Sequence, residues 1–350
     1  MTTLVESHSH SCQYSSDGTT WTDFSAYVES FSTHHAIDAD RGTCQINCYV
    51  YPAGLTENDY VVVAINGQTV FNGRFARPGL HGPAASAVME CEGRGAYLAK
   101  NWKADGVDPE INALFEREYS SQTARAIITN LIEAAAVENT MHDILGDDEL
   151  RGTIFPIILR PGQTFWSLIR GDEGLDEIRG CWTAETNNGA ITRRYLAVAG
   201  SADFTAVEGD NIISCDRTPQ GTESIFNRCI VYGFEYEGAT IGGIGIGDYS
   251  QPNTNIVGYN PKVIRTNLVE SDAEALAMAT AWVDRHNFPY DETNLVLLGN
   301  PAITLGQTVA ITSTFWDHAG DARLVAAVSH AYGIDVGYET RVKAIRVSVS

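Results

Sequence analysis

The chain is short of basic residues, of catalytic signatures and of long apolar runs. Its 350 residues carry 23 Lys and Arg against 44 Asp and Glu, a formal charge of −21 at pH 7. A surface of that sign repels phosphate, which argues against binding duplex nucleic acid by charge neutralisation. It suits a solubility device, or a passage through which nucleic acid slides without adhering. No GxSxG elbow, HExxH or CxxC motif occurs, and no cysteine falls at a predicted helix start, where its pKa would drop. No stretch of about 18 apolar residues is present, so no membrane-spanning helix is expected. The opening MTTLVESHSHS has no basic segment followed by an apolar one. The expectation is therefore a soluble protein made in the cytoplasm without a secretory leader. Cys12, Cys44, Cys48, Cys91, Cys181, Cys215 and Cys229 are odd in number and mostly lie in apolar, strand-like contexts. They read as buried free thiols of a reducing compartment.

What the chain does have is strand and turn chemistry at short intervals. Over residues 294–347, β-branched runs at 294–298, 308–311 and 324–332 are punctuated by Gly299-Asn300-Pro301, Leu305-Gly306 and Ala319-Gly320-Asp321, with an alternating run at 340–349. That pattern predicts an antiparallel barrel or sandwich. Ahead of it, Ser271-Asp272-Ala273-Glu274 is a capping box that opens a helix over 271–287. Leu276, Ala279, Thr280 and Val283 share one face of this helix, which is expected to pack on the C-terminal sheet.

Residues 12–100 are also strand-rich. Asp17-Gly18 marks an opening hairpin, and Cys44, Ile46, Cys48 and Val50 alternate on one strand face. Asn66-Gly67, between runs at 61–65 and 69–71, is the strongest hairpin signal in the chain. The middle reads differently. A helix over 121–137 places Ala124, Ile127, Ile128, Leu131 and Ala135 on one face, with Ser120 or Ser121 as its cap. A short helix at 164–170 turns Phe165, Trp166, Leu168 and Ile169 inward. Strands are predicted near 154–159, 180–186 and 193–198, with a turn at Asn187-Asn188-Gly189. The expected fold is mainly β, of α+β type. A first antiparallel β-domain spans 1–95, an α+β insertion 96–205, and a second β-domain 206–350.

Candidate chemistry is thin. Gly242-Gly243-Ile244-Gly245-Ile246-Gly247 departs from GxGxxG spacing, lacks a P-loop lysine, and reads as part of a loop over 238–261. Asp143, Asp147, Asp148 and Glu149 form an acidic turn. Asp38 and Asp40 lack the further ligands of an EF-hand. His8 with His10 and His34 with His35 have no ligand partner at metal spacing, and Cys44-x3-Cys48 has no second pair. His330, inside VSHAY, reads as a packed or hydrogen-bonded strand residue. The sequence thus predicts no catalytic, cofactor-binding or metal-binding residue, no cofactor, and no enzyme. Trp21, Trp102, Trp166 and Trp316 keep a carbohydrate-binding or carbohydrate-active module as an alternative, because a carboxylate pair for glycoside hydrolysis is a spatial feature.

Several stretches carry a resemblance. They are NRCIVYG at 227–233, VESDAEALAMATAWVDR at 269–285, LLGNPAITLGQTVAI at 297–311 and AVSHAYGIDVGYETRVKA at 327–344. AINGQTVFNGRF at 64–75 and the helix TARAIITNLIEAAAV extend it toward the N-terminus. In this order they resemble the phage tail baseplate-hub family, the late-control D-type and Mu-type hub proteins of contractile tails. Asn300 stands where that pattern is often acidic, and either residue suits the turn.

The resemblance implies a homotrimer in which each chain supplies two tail-tube-like β-domains. Three chains then make a pseudo-sixfold ring in the virion baseplate, between the tail tube protein and a trimeric central spike, with other baseplate proteins around it. DNA would pass the lumen without specific binding. His330, Tyr338 and Thr340 become fold and interface residues. A hexameric distal tail protein is a second alternative, differing in having six copies per ring.

Overall fold

A computed structural model describes residues 8–80, 87–99, 117–119, 123–134, 142–144, 157–159, 164–170, 174–176, 180–196, 201–219, 225–236, 239–246, 260–266, 269, 271–286, 291–315, 318–335 and 337–347. β1 (His10–Ser15) and β2 (Thr22–Asp23) form the opening hairpin. There Asp17 accepts the N–H groups of Thr19 and Thr20, and Gly18 takes φ of +74°. β3 (Val28–Ala36), β4 (Thr43–Cys48), β5 (Tyr60–Ile65), β6 (Gln68–Leu80) and β7 (Ala87–Gly93) follow. Asn66 (φ 50°) and Gly67 (φ 77°) join β5 to β6 with both residues left-handed, the two-residue turn whose twist matches the flanking strands.

In the middle segment β8 (Arg117–Tyr119) pairs with β10 (Ile157–Leu159). α1 (Ala124–Ala134) and α2 (Phe165–Arg170) pack Ile127, Ile128, Leu131, Phe165, Trp166 and Ile169 into one small core with Leu98 and Ile191. Leu168 is only partly buried. The cap of α1 is Thr123, whose Oγ1 accepts the N–H of Ala126. The expected caps, Ser120 and Ser121, lie outside the described residues. β9 (His142–Ile144) runs parallel to β12 (Ile191–Tyr195), which forms a hairpin with β11 (Cys181–Glu185) across Asn187–Gly189.

The remaining elements are β13 (Phe204–Val207), β14 (Ile212–Pro219), β15 (Arg228–Tyr236), β16 (Ala239–Ile246), β17 (Pro261–Arg265), α3 (Asp272–His286), β18 (Asp291–Leu298), β19 (Thr308–Ser313), β20 (His318–Gly333) and β21 (Gly337–Ile345). One long strand organises them. The first half of β20 pairs with β19, and its second half pairs with β3, from Ala327 opposite Ala36 to Gly333 opposite Ser30. Both β-rich parts therefore share one 13-stranded sheet, running β14-β18-β21-β20-β3-β4-β7-β6-β5-β1-β2 with β19 and β13 branching from β20. The fold is mainly β and tail-tube-like, with small helical additions.

Two apolar cores lie along this sheet. Phe31, Ile46, Val63, Phe71 and Met89 belong to the first, and Leu295, Leu297, Ile311, Val328 and Val342 to the second. Cys44, Ile46 and Cys48 point into the first core, whereas Val50 is exposed because β4 ends before it. β13 pairs in parallel with β19, so residues 204–207 join the second β-unit's sheet although they straddle the expected boundary at 205. Gly320 (φ +88°) lies within β20, where the register shifts opposite Ile311 and Thr312. It makes a bulge where a turn was expected, because only a residue at ease with positive φ fits there.

Two expectations need correction. α3 does not pack on the C-terminal sheet. It covers a separate three-stranded sheet, β16-β15-β17, with Ala275, Met278, Ala279, Trp282 and Val283 against Cys229, Val231 and Ile264. Its buried stripe is rotated from the expected one, so Leu276 and Thr280 face solvent. The glycine-rich stretch is likewise a strand over 239–246 and not a loop; residues 247–259 lie outside the described residues.

The two corrections have one cause. A Cβ at Gly243 would overlap the backbone of Ala275 and Leu276, so glycine lets the helix lie directly on β16. Asp272 Oδ1 then accepts the N–H of Gly242 at 2.9 Å. At Gly242 a Cβ would meet only Val231 O, at 3.5 Å. Gly243→Ala should therefore cost about 1–3 kcal/mol of stability by urea denaturation, while Gly242→Ala costs much less. Equal effects at the two positions would contradict this packing.

Candidate functional site

The β11–β12 hairpin brings more buried polar chemistry together than any other described part of the molecule. Glu185, the last residue of β11, is buried, and its carboxylate accepts three backbone N–H groups: Gly42 at 3.1 Å, Arg94 at 2.7 Å and Gly95 at 2.9 Å. Gly42 closes the β3–β4 turn, and the 3-10 turn Arg94–Tyr97 follows β7. A side chain at Gly93 would overlap the Glu185 carboxylate. Burial pushes the Glu185 pKa up to about 7, against the three N–H donors and the Arg94 charge, which favour the anion. Nearby, Arg170 lies 3.7 Å over the Trp166 ring and donates to Ala39 O and Thr183 O. Arg193 meets Asp176 at 2.9 Å, fully buried.

The tip of the same hairpin reaches the other β-unit. Asn187 Nδ2 donates to Ile303 O at 2.9 Å and contacts His330 Nε2 at 3.1 Å. With Nε2 accepting, the neutral imidazole carries its proton on Nδ1, 2.7 Å from Tyr338 Oη. Thr340 Oγ1 stands beside both, and Thr33 Oγ1 accepts the His330 N–H across the β3–β20 seam. Gly189 (φ +80°) sits so close to Asn72 O that a Cβ would come within 2.6 Å. Trp182 closes over Gly306 in the second core. His35 completes the buried cluster from β3, with Nε2 3.3 Å from Val70 O. Burial lowers His35 to about pKa 4, and burial together with the His35 charge lowers His330 to about 3.

This arrangement is a joint. One hairpin is hydrogen-bonded to the first β-unit through Glu185 and to the second through Asn187. His330, Tyr338 and Thr340 sit at that joint. The sequence missed Glu185 and Asn187: the first is one acid among 44, and the second read only as a turn former.

The other candidates are dispersed. His34 and His35 point to opposite faces of β3, and His34 Nδ1 lies 2.8 Å from Ser329 Oγ. His8 packs edge-on to Tyr338, and His10 stacks near Tyr332. All seven cysteines are free and buried. Burial raises the thiol pKa of Cys44, and pushes that of Cys48 up to about 11. Asp38 and Asp40 lie in the β3–β4 turn, with Asp40 3.7 Å from Arg170. Trp166 is enclosed beneath Arg170, Trp21 is 38% exposed, and Trp102 and Trp316 lie outside the described residues, as do Asp147, Asp148 and Glu149. Among the described residues no group of three or more His, Cys, Asp or Glu is placed to hold a metal ion. A cleft of about 800 Å³ beside the hairpin is lined by Trp182, Asn188, Tyr195, Asp203 and Gln307.

The overall fold is one seen in solved phage tail proteins. No family model matches the sequence, and no curated protein does. The chain is similar in structure to the 43 kDa tail protein of prophage MuSo2 from Shewanella oneidensis, with TM-score 0.68, 12% identity, and 96% of this chain and 98% of that one covered. It is also similar to the tail protein from Neisseria meningitidis MC58, with TM-score 0.66, 10% identity and 97% and 96% coverage. An Escherichia coli component of the type VI secretion system, itself described as similar to T4 tail proteins gp27 and gp5, matches with TM-score 0.55 and 10% identity over 92% of this chain and 74% of that one.

The joint has a pH signature. Below pH 6.5 the unfolded chain protonates both histidines while the fold keeps them neutral to about pH 4 and 3, so their stabilisation is whole above pH 6.5 and lost on acidification. Glu185 acts with the opposite sign between pH 7 and 4.5, where the fold keeps a proton that the unfolded chain has lost. Two histidines outweigh one glutamate, so stability measured by urea denaturation should fall as pH drops from 6.5 to 4. His330→Phe should reduce that slope by about 1.4 kcal/mol per pH unit. An unchanged slope would mean that His330 takes up its proton in the fold.

Proposed function

We propose that the chain is a structural component of a phage-tail-like particle, a baseplate hub that works as a homotrimeric ring. Each chain contributes two tube-like β-units, so three chains form a pseudo-sixfold annulus between the tail tube and the trimeric central spike. It acts by assembly and not by catalysis, and DNA passes through its lumen. In this reading residues 1–95 and 206–350 hold the two units, and 96–205 the segment that fixes one against the other.

The observation that carries the reading is the continuous sheet through β3 and β20, whose two rims differ. At one rim the β3–β4 turn is covered by the middle segment, through Glu185 to Gly42 and Arg170 to Ala39. Along the other rim, across both units, Tyr27, Tyr49, Val50, Ile213, Leu298 and Ile334 are exposed. Backbone hydrogen bonds tie this rim together, from Tyr49 to Tyr27 O, Ile334 to Glu29 O and Leu298 to Asn211 O. Exposed apolar residues along one rim of two fused units suit stacking on another ring.

The face of the sheet turned away from the cores suits a lumen. Across β20, β3, β4 and β7 it presents Ser329, Ser32, His34, Gln45, Glu90 and Glu92. Its cations are paired with its acids, Arg41 with Glu92, Arg77 with Glu90 and Arg341 with Glu339. Such a surface offers passing phosphates few free cations to grip.

Averaged electron micrographs of the purified chain test the reading directly. The expected particle is a ring of three copies with a pseudo-sixfold outline. A monomer at micromolar concentration, or a ring of six copies, would overturn it.

A further inference from the structure

Outside the joint and the long sheet, the helical lobe has a feature that the proposed ring does not by itself explain. Its three-stranded sheet is covered by α3 on one face only. Strand alternation puts Cys229, Val231 and Ile264 under the helix and turns Ile230, Tyr232, Ile244 and Val263 outward. Register aligns them: Ile230 stands opposite Ile244 on one side and Val263 on the other, forming an apolar row across all three strands. Ile244 is 50% exposed and Val263 46%. A sheet this small gains little by leaving such a row in water.

Among the described residues β16 and β17 each pair only with β15. β16, ATIGGIGI, has no charge, no proline and few side chains. Natural edge strands usually carry such protection, and an edge without it is a template for another chain.

Charge indicates which chain. The outward face adds a cation, Arg265, stacked 5.4 Å from the Tyr232 ring. None of these five outward residues, Ile230, Tyr232, Ile244, Val263 and Arg265, is a carboxylate, on a chain whose formal charge is −21. Tyrosine, arginine and isoleucine around a dry centre is the composition of an interface core. The surface it complements is acidic, and a second copy of this chain presents one. Ring closure requires head-to-tail contact, in which one face meets a different surface of the next copy. We infer that the outer face of the β16-β15-β17 sheet is the contact by which one copy of this chain binds the acidic surface of the next.

This inference rests on the trimeric reading, and the experiment separates the two. Ile244→Asp/Val263→Asp and, separately, Arg265→Glu are compared with the unaltered chain by sedimentation and light scattering, with circular dichroism and melting as controls for folding. The unaltered chain should be a trimer. The double variant should be a folded monomer, its association weakened on the order of a hundredfold, and Arg265→Glu should fall between. Labelling supplies a readout that does not depend on disrupting the face. The seven native cysteines are buried, so Val263→Cys adds an exposed thiol that should react with maleimide in diluted monomer and be protected in the trimer. A trimeric, folded double variant, with the thiol of Val263→Cys freely reactive in the trimer, would overturn the lobe assignment and leave the trimer standing. A monomeric unaltered chain would overturn both.

Discussion

The molecule's arrangement depends on a carboxylate taken out of water. Glu185 is acceptable in the interior only because three backbone N–H groups converge on it, and those donors come from two separate turns of the first β-unit. Removing one member of such a set leaves a buried group unpaired, at a cost of several kcal/mol. The glycines around it follow from the same need. Gly93 leaves room for the carboxylate, and Gly42 and Gly95 bring their N–H groups within reach. The middle segment is thus an integral brace. Its hairpin is held at the base by the first unit and at the tip, through Asn187, by the second.

With that brace in place, the β3–β20 pairing cannot slide. A one-residue slip would turn Phe31 and Val328 out of their cores and carry His330 away from Asn187 and Tyr338. Two units with a fixed mutual orientation can present matching surfaces around a ring, whereas units on a flexible linker would not hold a pseudo-sixfold outline. The joint and the exposed apolar rim belong together. The middle segment that locks the units also covers the β3–β4 turn at one end of their common sheet, and in the proposed ring the apolar residues exposed at the other end would stack.

Local patterns were legible in the sequence, and long-range pairings were not. Asn66-Gly67 specified its turn because only left-handed residues close a two-residue hairpin. The capping box at Ser271 was readable because Glu274 stands three residues on, and its N–H does meet Ser271 Oγ. The partner of that helix was not readable. Gly243 signals loop or close packing equally well, and only the three-dimensional approach of Ala275 and Leu276 decides between them. Glu185 and Asn187 were invisible for a related reason. Their partners lie about 90 to 143 residues away in sequence, and no local spacing encodes such a meeting. His330 was correctly read as a packed residue, but its role in the joint needed Tyr338 and Asn187 beside it.

Net charge sets a condition on any assembly of this chain. Copies at −21 repel one another, and at physiological ionic strength that repulsion is screened over about 8 Å. Beyond that distance the copies hardly sense each other; within it, contact is tolerable only where the local charge departs from the average. In the proposed trimer the outer face of the helical lobe would be such a place, because Ile230, Ile244 and Val263 are apolar and Arg265 is cationic. In the proposed ring the paired charges on the long sheet's solvent face would do the same for a polymer passing through the lumen, since Arg41, Arg77 and Arg341 each have a carboxylate beside them. In that reading the same acidity acts in two ways: it keeps separate particles apart in solution, and it confines close contact to the few surfaces that escape it.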